Sequence, residues 1–553
     1  MVRGAHLAGI RARAFDILVI GGGITGAGVA LDAAARGLSV ALVERGDFAG
    51  GTSSRSTKLV HGGVRYLPML DIAQVREGLE EQTALLRNAP HLVRPLPFLL
   101  PLYRDARRPL GLDLPAVLRA GLPLGMAIGL GAYDLLAGRR GARRHRRIDR
   151  RGAAALAPPI RLDGLRSAYL YYDSQTDDAR LTMAVLQTAA GLGALMANYT
   201  EAIGTVHEAG RISGVHVADR LSGERITVRA RTVINAAGVW AEAVARFAGP
   251  PAFRIRRAKG VHLVCSNARL GMRRAALVLP ETDDGRIAFI VPWRGVLILG
   301  TTDTEWDRGE DDPETTPADV AYLLDHASRF LSVPIDRRDL VGAYAALRPL
   351  ISTDDAASAH LSRRHGVVRS GEGFYSIIGG KLTTFRRMAE DVVNAATGRR
   401  RGTRSPTWTL PLIGAAGLSE ALPQLRARAR RFRFSRATFL HLIHAYGTET
   451  ARVLDLVEER PALGRPLVPG SPPIAAEVVV AVSQEMAVNL ADVMLRRTRL
   501  AHLLADQGAG IAPAVAALMG DELGWPEEVR SAQVTDYART AARFSVPWVA
   551  APA

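Results

Sequence analysis

Near its N-terminus the chain reads Gly21-Gly22-Gly23-Ile24-Thr25-Gly26, with glycines spaced for close approach between backbone and a phosphate. Gly21 permits a tight exit from a strand, Gly23 lets amide groups reach a pyrophosphate, and Gly26 lets the following helix pack closely. The first turn of that helix would add favourable partial positive charge. Glu44, 18 residues beyond Gly26 and followed by Arg45, is placed to accept hydrogen bonds from a ribose diol. The pattern implies a dinucleotide and leaves FAD and NAD both open.

A second segment, Gly51 to Leu67, reads GTSSRSTKLVHGGVRYL. The hydroxyls of Thr52, Ser53 and Ser54, with Lys58 after them, suit a second phosphate or a flavin edge. Gly62-Gly63 would let the backbone lie against a flat ring, with Leu59 and His61 just before. Of the 71 basic residues only three are lysines, Lys58, Lys259 and Lys381. Lysine is a compact point charge and arginine a broad planar fork, so these three mark places where a guanidinium will not fit or function.

The elements that must position these residues are readable. Phe15 to Ile20 is a short apolar run, Ala27 to Arg36 has helical composition, and Leu38 to Val43 is a second apolar run. Strand, glycine turn, helix and strand within about 30 residues form a βαβ dinucleotide unit. Further strands are expected at 214–217, 232–235, 261–264, 287–291, 296–299 and 374–378. Residues 397–407 (TGRRRGTRSPT) read as a linker. Beyond it strand signals fade, and 477–497 places Met486, Leu490, Val493 and Met494 on one face of an amphipathic helix.

At Ser53-Ser54, Ser56-Thr57-Lys58-Leu59, His61-Gly62-Gly63 and Arg65-Tyr66-Leu67 the chain resembles the signature of the FAD-dependent glycerol-3-phosphate dehydrogenases. Other motifs follow in the same order: Asp177–Leu181 (DDARL), Asn235–Trp240 (NAAGVW), Lys259–His262 (KGVH), Gly300–Asp303 (GTTD), Gly342–Leu350 and Gly379–Arg386 (GGKLTTFR). Glu485–Ala487 through Arg496–Thr498 resembles the family's EMA…RRT segment, so the resemblance spans 16–544.

The resemblance implies an α/β fold with a Rossmann-like FAD domain of the glutathione-reductase/D-amino-acid-oxidase type, an antiparallel-sheet substrate domain and a C-terminal helical domain. Residues 15–395 would form the oxidoreductase region, with FAD-binding segments at 15–100, 175–250 and 365–395. Residues 396–407 would be the linker and 408–553 the helical domain. Cofactor contacts are expected from Gly21, Gly23, Ile24, Thr25, Gly26, Glu44, Arg45, Thr52, Ser53, Ser54, Lys58, Leu59, His61, Gly62, Gly63, Ala237, Gly238, Asp303, Gly380, Lys381, Leu382 and Thr383.

The implied reaction is oxidation of sn-glycerol 3-phosphate to dihydroxyacetone phosphate, with electrons passed to a membrane quinone. A phosphate dianion needs charge-assisted donors, and Arg65, Arg348 and Lys381 are the motif residues that supply them, with Tyr66 giving a hydroxyl and Arg363 a further candidate. Arg348, Lys381 and His262 are the catalytic candidates; His61 and His262 also read as structural histidines. The alternatives are a soluble glycerol-3-phosphate oxidase or an FAD dehydrogenase of another hydroxy acid or amine.

Composition bounds the rest. At 553 residues, 48% hydrophobic and 23% charged, the chain suits a globular protein of at least two domains. Its single cysteine, Cys265, rules out an intramolecular disulfide or a cysteine metal cluster, and no metal is expected. The first 14 residues lack the apolar core of an export signal, and the apolar stretch 120–137 is too short and interrupted to span a bilayer. The net charge of +17 includes eight arginines within Arg139–Arg151, directly after that stretch. This cluster reads either as a solvated loop or as a surface for anionic lipid. No aromatic residue interrupts it, so no nucleic-acid partner is expected. A cytoplasmic enzyme on the inner face of the cytoplasmic membrane is the expectation, and a homodimer is compatible with it.

Overall fold

The computed structural model describes residues 1–64, 71–106, 121–138, 144–311, 313–352, 365–399 and 404–548. Its first sheet runs, in spatial order, Gly366–Gly371, Phe374–Ile378, Arg225–Asn235, Phe15–Ile20, Val40–Val43 and Leu195–Ala197. From Phe374–Ile378 onward neighbouring strands are parallel. Parallel strands are covered on both faces, which is why FDILVI and VALV are almost uninterrupted apolar runs. Alternate residues divide between two cores. Ile17, Val19 and Leu42 meet the helices Ile24–Ala35, Asp178–Gly191 and Phe385–Thr397. Leu18, Ala41 and Val43 meet Leu7 and Ile10 of the N-terminal helix Arg3–Ala12.

The second sheet has ten strands and is largely antiparallel. Its long members are Arg94–Tyr103 against Leu165–Gln175 and Arg254–Ser266 against Leu340–Ser352. All six expected strands lie within observed ones, apart from Ile287, which precedes Ala288–Trp293. Arg94–Tyr103 was not expected, because Pro95, Pro97 and Pro101 argue against a sheet interior. One face of this sheet packs on the helix Pro317–Ser328. The other shares its core with the C-terminal helices: Val264, Val291 and Ile298 meet Val493, Met494, Val515 and Tyr537.

One expectation needs correction. The helix expected over 477–497 is two helices, Ala476–Glu485 and the π-helical Asp492–Arg497. Met486 between them is left-handed (φ 57°), and the Asp492 carboxylate accepts the amides of Val488 and Asn489 at 2.9 and 3.0 Å. Met486, Leu490, Val493 and Met494 are buried all the same, so the apolar face was real and the continuous helix was not. The expected linker 396–407 is described at residues 396–399 and 404–407. Its described end is packed, with Ser405 and Thr407 buried and hydrogen-bonded to the buried Asp32 of the helix Ile24–Ala35.

The break at Met486 aims a row of arginines at the loop that follows the second strand. Arg497 donates to both oxygens of Asp47 at 2.8 and 2.9 Å, and Arg496 joins it. Arg499 pairs with Asp177 at 3.1 Å and with Asp178, the N-cap and first residue of the helix Asp178–Gly191. Burial would push Asp47 up, yet Arg497 and Arg496 together hold it below the ordinary carboxylate range. Removing one member of such a set leaves a buried charge without its partner. Arg499→Met is therefore expected to cost about 3–5 kcal/mol in urea unfolding. A variant that unfolds with the wild-type midpoint and slope would contradict this arrangement.

Candidate functional site

A cavity of about 1790 Å³ lies between the two sheets. Its first wall is the glycine turn leaving Phe15–Ile20. Gly21 has φ 111°, and a Cβ there would stand 2.7 Å from the Ala236 carbonyl oxygen. A Cβ on Gly23 would come 3.0 Å from Ser53 Oγ, and one on Gly26 would overlap the Gly21 carbonyl. The cradle exists because these side chains are missing. Gly23 caps the helix Ile24–Ala35, whose N-terminus faces the cavity through Ile24 and Thr25. Ser53 Oγ accepts the Ile24 amide at 2.9 Å, and Thr52 Oγ1 donates to the Leu347 carbonyl at 2.7 Å, tying the turn to the second sheet.

Glu44 lines the cavity, and its oxygens accept the amides of Gly22 and Gly46 at 2.6 and 2.8 Å. Burial raises its pKa, partly countered by those amides. Arg45 lies over the Trp240 ring, and both side chains reach Asp311 at the cavity edge. Ala237 and Gly238 line the same end.

The opposite wall carries the basic groups. Arg348 lies over the backbone of Gly260, where a Cβ would come 2.8 Å from Cζ. It donates to Asp303 Oδ1 at 3.0 Å and to Thr301 Oγ1 at 2.9 Å. Arg286 pairs with the other Asp303 oxygen at 3.0 Å. Lys381 precedes the short helical turn Leu382–Thr384, and Gly380, Lys381, Leu382 and Thr383 all line the cavity. Thr383 Oγ1 accepts the His61 amide at 3.1 Å, so this turn abuts Leu59, His61 and Gly63, which also line it.

His262 lines the cavity with its ring stacked on Tyr344, centroids 4.9 Å apart. Burial, then the charges of Arg348 and Lys58, hold its pKa well below the ordinary range, so the ring is neutral. Nε2 lies 2.8 Å from Thr57 Oγ1, while Nδ1 is buried without a hydrogen-bond partner among the described residues.

Four expected contacts lie off the cavity wall. Gly26, Ser54 and Gly62 shape it from behind. Lys58 is fully buried, with Nζ 2.8 and 2.9 Å from the Asp178 oxygens and 2.6 Å from the Ser54 carbonyl. Burial and the nearby Arg499 bring its pKa down to about 8. Arg65, Tyr66 and Arg363 lie outside the described residues.

Arg286 and Asp173 are among the cavity residues that the sequence did not single out. Asp173 is a carboxylate inside the otherwise mostly apolar strand Leu165–Gln175, and that placement was the available signal.

Residues 16–386 match the family described as FAD dependent oxidoreductase, and residues 405–530 match the C-terminal domain of alpha-glycerophosphate oxidase. The chain is 37% identical over 528 residues to a glycerol-3-phosphate dehydrogenase of Mycobacterium leprae, covering 95% of this chain and 87% of that one. It is 37% identical over 542 residues to the mitochondrial glycerol-3-phosphate dehydrogenase of Homo sapiens, covering 94% and 72%. Among solved structures it resembles a glycerol-3-phosphate dehydrogenase from Bacillus halodurans complexed with FAD (TM-score 0.79, 29% identity, 100% and 99% covered).

The crowding around Gly26 makes it the sharpest test of the cradle. Gly26→Val is expected to yield protein that purifies without bound flavin, read from the absorbance near 450 nm. Retention of a full complement of flavin would show that the turn does not hold the dinucleotide.

Proposed function

Because the chain belongs to the FAD-dependent glycerol-3-phosphate dehydrogenase family, we propose that it oxidises sn-glycerol 3-phosphate to dihydroxyacetone phosphate in the cavity between its sheets. The cofactor is FAD, and when bound it accepts hydride at N5 and passes the electrons on. The glycine turn suits its pyrophosphate, since a side chain at Gly21 or Gly26 would collide with the backbone that gives the turn its shape. Glu44 would take the ribose, and the turn His61–Gly63 with Gly380–Thr383 would face the ring.

The observation that carries the substrate reading is the Arg348 guanidinium, laid on Gly260 and fixed by Asp303 and Thr301, in the same cavity as Lys381. A fixed fork and a point charge together suit a phosphate dianion. Arg65 and Tyr66 of the HGGVRYL segment, and Arg363, are further candidates. His262, neutral and close to Arg348, is a candidate for contact with the substrate carbon chain.

Anaerobic addition of sn-glycerol 3-phosphate is expected to bleach the flavin band. Arg348→Met and Lys381→Met should each lower kcat/KM by roughly 10- to 100-fold, mainly through KM. His262→Ala should slow the bleaching. A loaded flavin that stays oxidised with this substrate would sink the reading, and rapid peroxide formation in air would make the enzyme an oxidase.

For the electron acceptor we infer a membrane quinone, reached by peripheral attachment to the inner face of the cytoplasmic membrane. Among the described residues no helix is long and apolar enough to cross a membrane. The helix Leu122–Ala137 buries Met126, Leu130 and Tyr133 while exposing Leu124 (68%), Ile128 (66%) and Leu135 (82%). Exposed Arg144, Arg146, Arg147, Arg150 and Arg151 follow it. An apolar stripe beside a row of cations suits an anionic bilayer surface. The triple variant Leu124→Ser, Ile128→Ser, Leu135→Ser should no longer co-sediment with phosphatidylglycerol vesicles, while its flavin is still bleached by substrate. Equal co-sedimentation would rule this surface out.

A further inference from the structure

Oxidation of an alcohol releases a hydroxyl proton as well as a hydride, and a group on the cavity wall must take it. Most carboxylates there are spoken for. Asp303 is held by Arg286 and Arg348, Asp284 by Arg286, Glu310 by Arg257, Asp311 by Arg45 and Asp47 by Arg496 and Arg497. A carboxylate beside arginine is held ionised and is a weak base. Glu44 is occupied by two amides at the nucleotide end. His262 has one nitrogen on Thr57 and the other buried.

Asp173 differs from all of these. It has no arginine or lysine partner among the described residues and is 4% exposed on the cavity wall. Its Oδ1 takes three hydrogen bonds, from Tyr133 Oη at 2.7 Å, the Gly62 amide at 3.1 Å and Gln82 Nε2 at 3.2 Å. Its Oδ2 takes none from any described residue. Three segments thus fix one oxygen and leave the other without a donor among the described residues, which is the geometry of an oriented proton acceptor. Gly62 also places it beside the turn that abuts Thr383 and Lys381.

Resting on the reading of the reaction as oxidation of a secondary alcohol by flavin, we propose that Asp173 Oδ2 accepts the substrate's hydroxyl proton. The C2–H bond breaks with its electron pair leaving for the flavin. The O–H bond breaks with its proton going to Asp173, and the C2–O bond becomes a carbonyl. FAD is the oxidant, and the proton later returns to solvent.

Burial brings Asp173 up to about 6, with the hydrogen bonds from Tyr133, Gly62 and Gln82 opposing that rise. The groups facing it are neutral: Tyr133 from the helix Leu122–Ala137, Gln82 from the helix Ile72–Asn88, and Tyr171 from its own strand. Both tyrosines are pushed well above their usual range, first by burial and then by Asp173 itself. A carboxyl raised in the folded state binds a proton on folding. Its ionisation therefore lowers stability as pH rises from the ordinary aspartate value toward 6.

The test uses the FAD-loaded enzyme and its Asp173→Asn and Tyr133→Phe variants. Wild-type bleaching by sn-glycerol 3-phosphate should rise with pH through an apparent pKa near 6. Asp173→Asn should slow it by about 10²–10⁴-fold and remove that limb. Tyr133→Phe, which loses a bond favouring the ionised form, should move the limb to higher pH. Independently of turnover, the melting temperature of Asp173→Asn without substrate should fall less than that of wild type between pH 4 and 6. Wild-type bleaching with an unchanged rate and limb in Asp173→Asn would overturn the proposal. So would a limb that persists in Asp173→Asn and vanishes in His262→Ala. A wild-type flavin that is never bleached would instead defeat the substrate reading on which the proposal rests.

Discussion

The buried carboxylate of Asp178 is the point on which the cofactor side of this molecule depends. It takes Lys58 on both oxygens, the amide and hydroxyl of Ser56, and Arg499 from the C-terminal segment. Lys58 and Arg499 also meet on the Ser54 carbonyl. Burying an isolated carboxylate is prohibitive, and a lone buried pair often only breaks even. Here the surplus donors are used to fix the loop Thr52–Lys58, which in turn presents Ser53 to the first turn of the nucleotide helix. The Asp47 cluster does the same for the start of that loop. Cofactor binding and the C-terminal helices are joined through ions, not only through the shared apolar core.

The same reasoning explains the three lysines better than a common role at an anionic ligand. Lys58 and Lys259 are both buried ion pairs, Lys259 with Asp319 at 2.6 Å and the Glu314 carbonyl at 3.2 Å. Each places a compact ammonium, a different shape from the planar guanidinium fork, among buried acceptors. Only Lys381 of the three lines the cavity. In a chain whose other basic residues are all arginine, the exceptions report packing as much as chemistry.

What was legible in the sequence was local. The glycine turn, its flanking strands and Glu44 could be placed because strand, turn and helix follow within one short segment. The partners that give the site its shape are far apart in sequence: Asp178 lies 120 residues from Lys58, and Arg499 lies 321 from Asp178. Asp173 was passed over because its meaning depends on Tyr133, Gln82 and Gly62, three separate segments. The break at Met486 was hidden because the buried face continues across it, so periodicity alone implied one helix. Three prolines masked the strand Arg94–Tyr103, although its other residues are strongly apolar.

The charges around Asp178 and Asp47 make the C-terminal segment and the FAD cradle one cooperative unit. Hydrogen exchange followed by mass spectrometry, run alongside flavin release on titration with urea, tests it directly. Amides in 485–499 and 47–60 are expected to lose protection together, at the urea concentration where flavin is released. Loss of protection over 485–499 while flavin stays bound and 47–60 stays protected would contradict it.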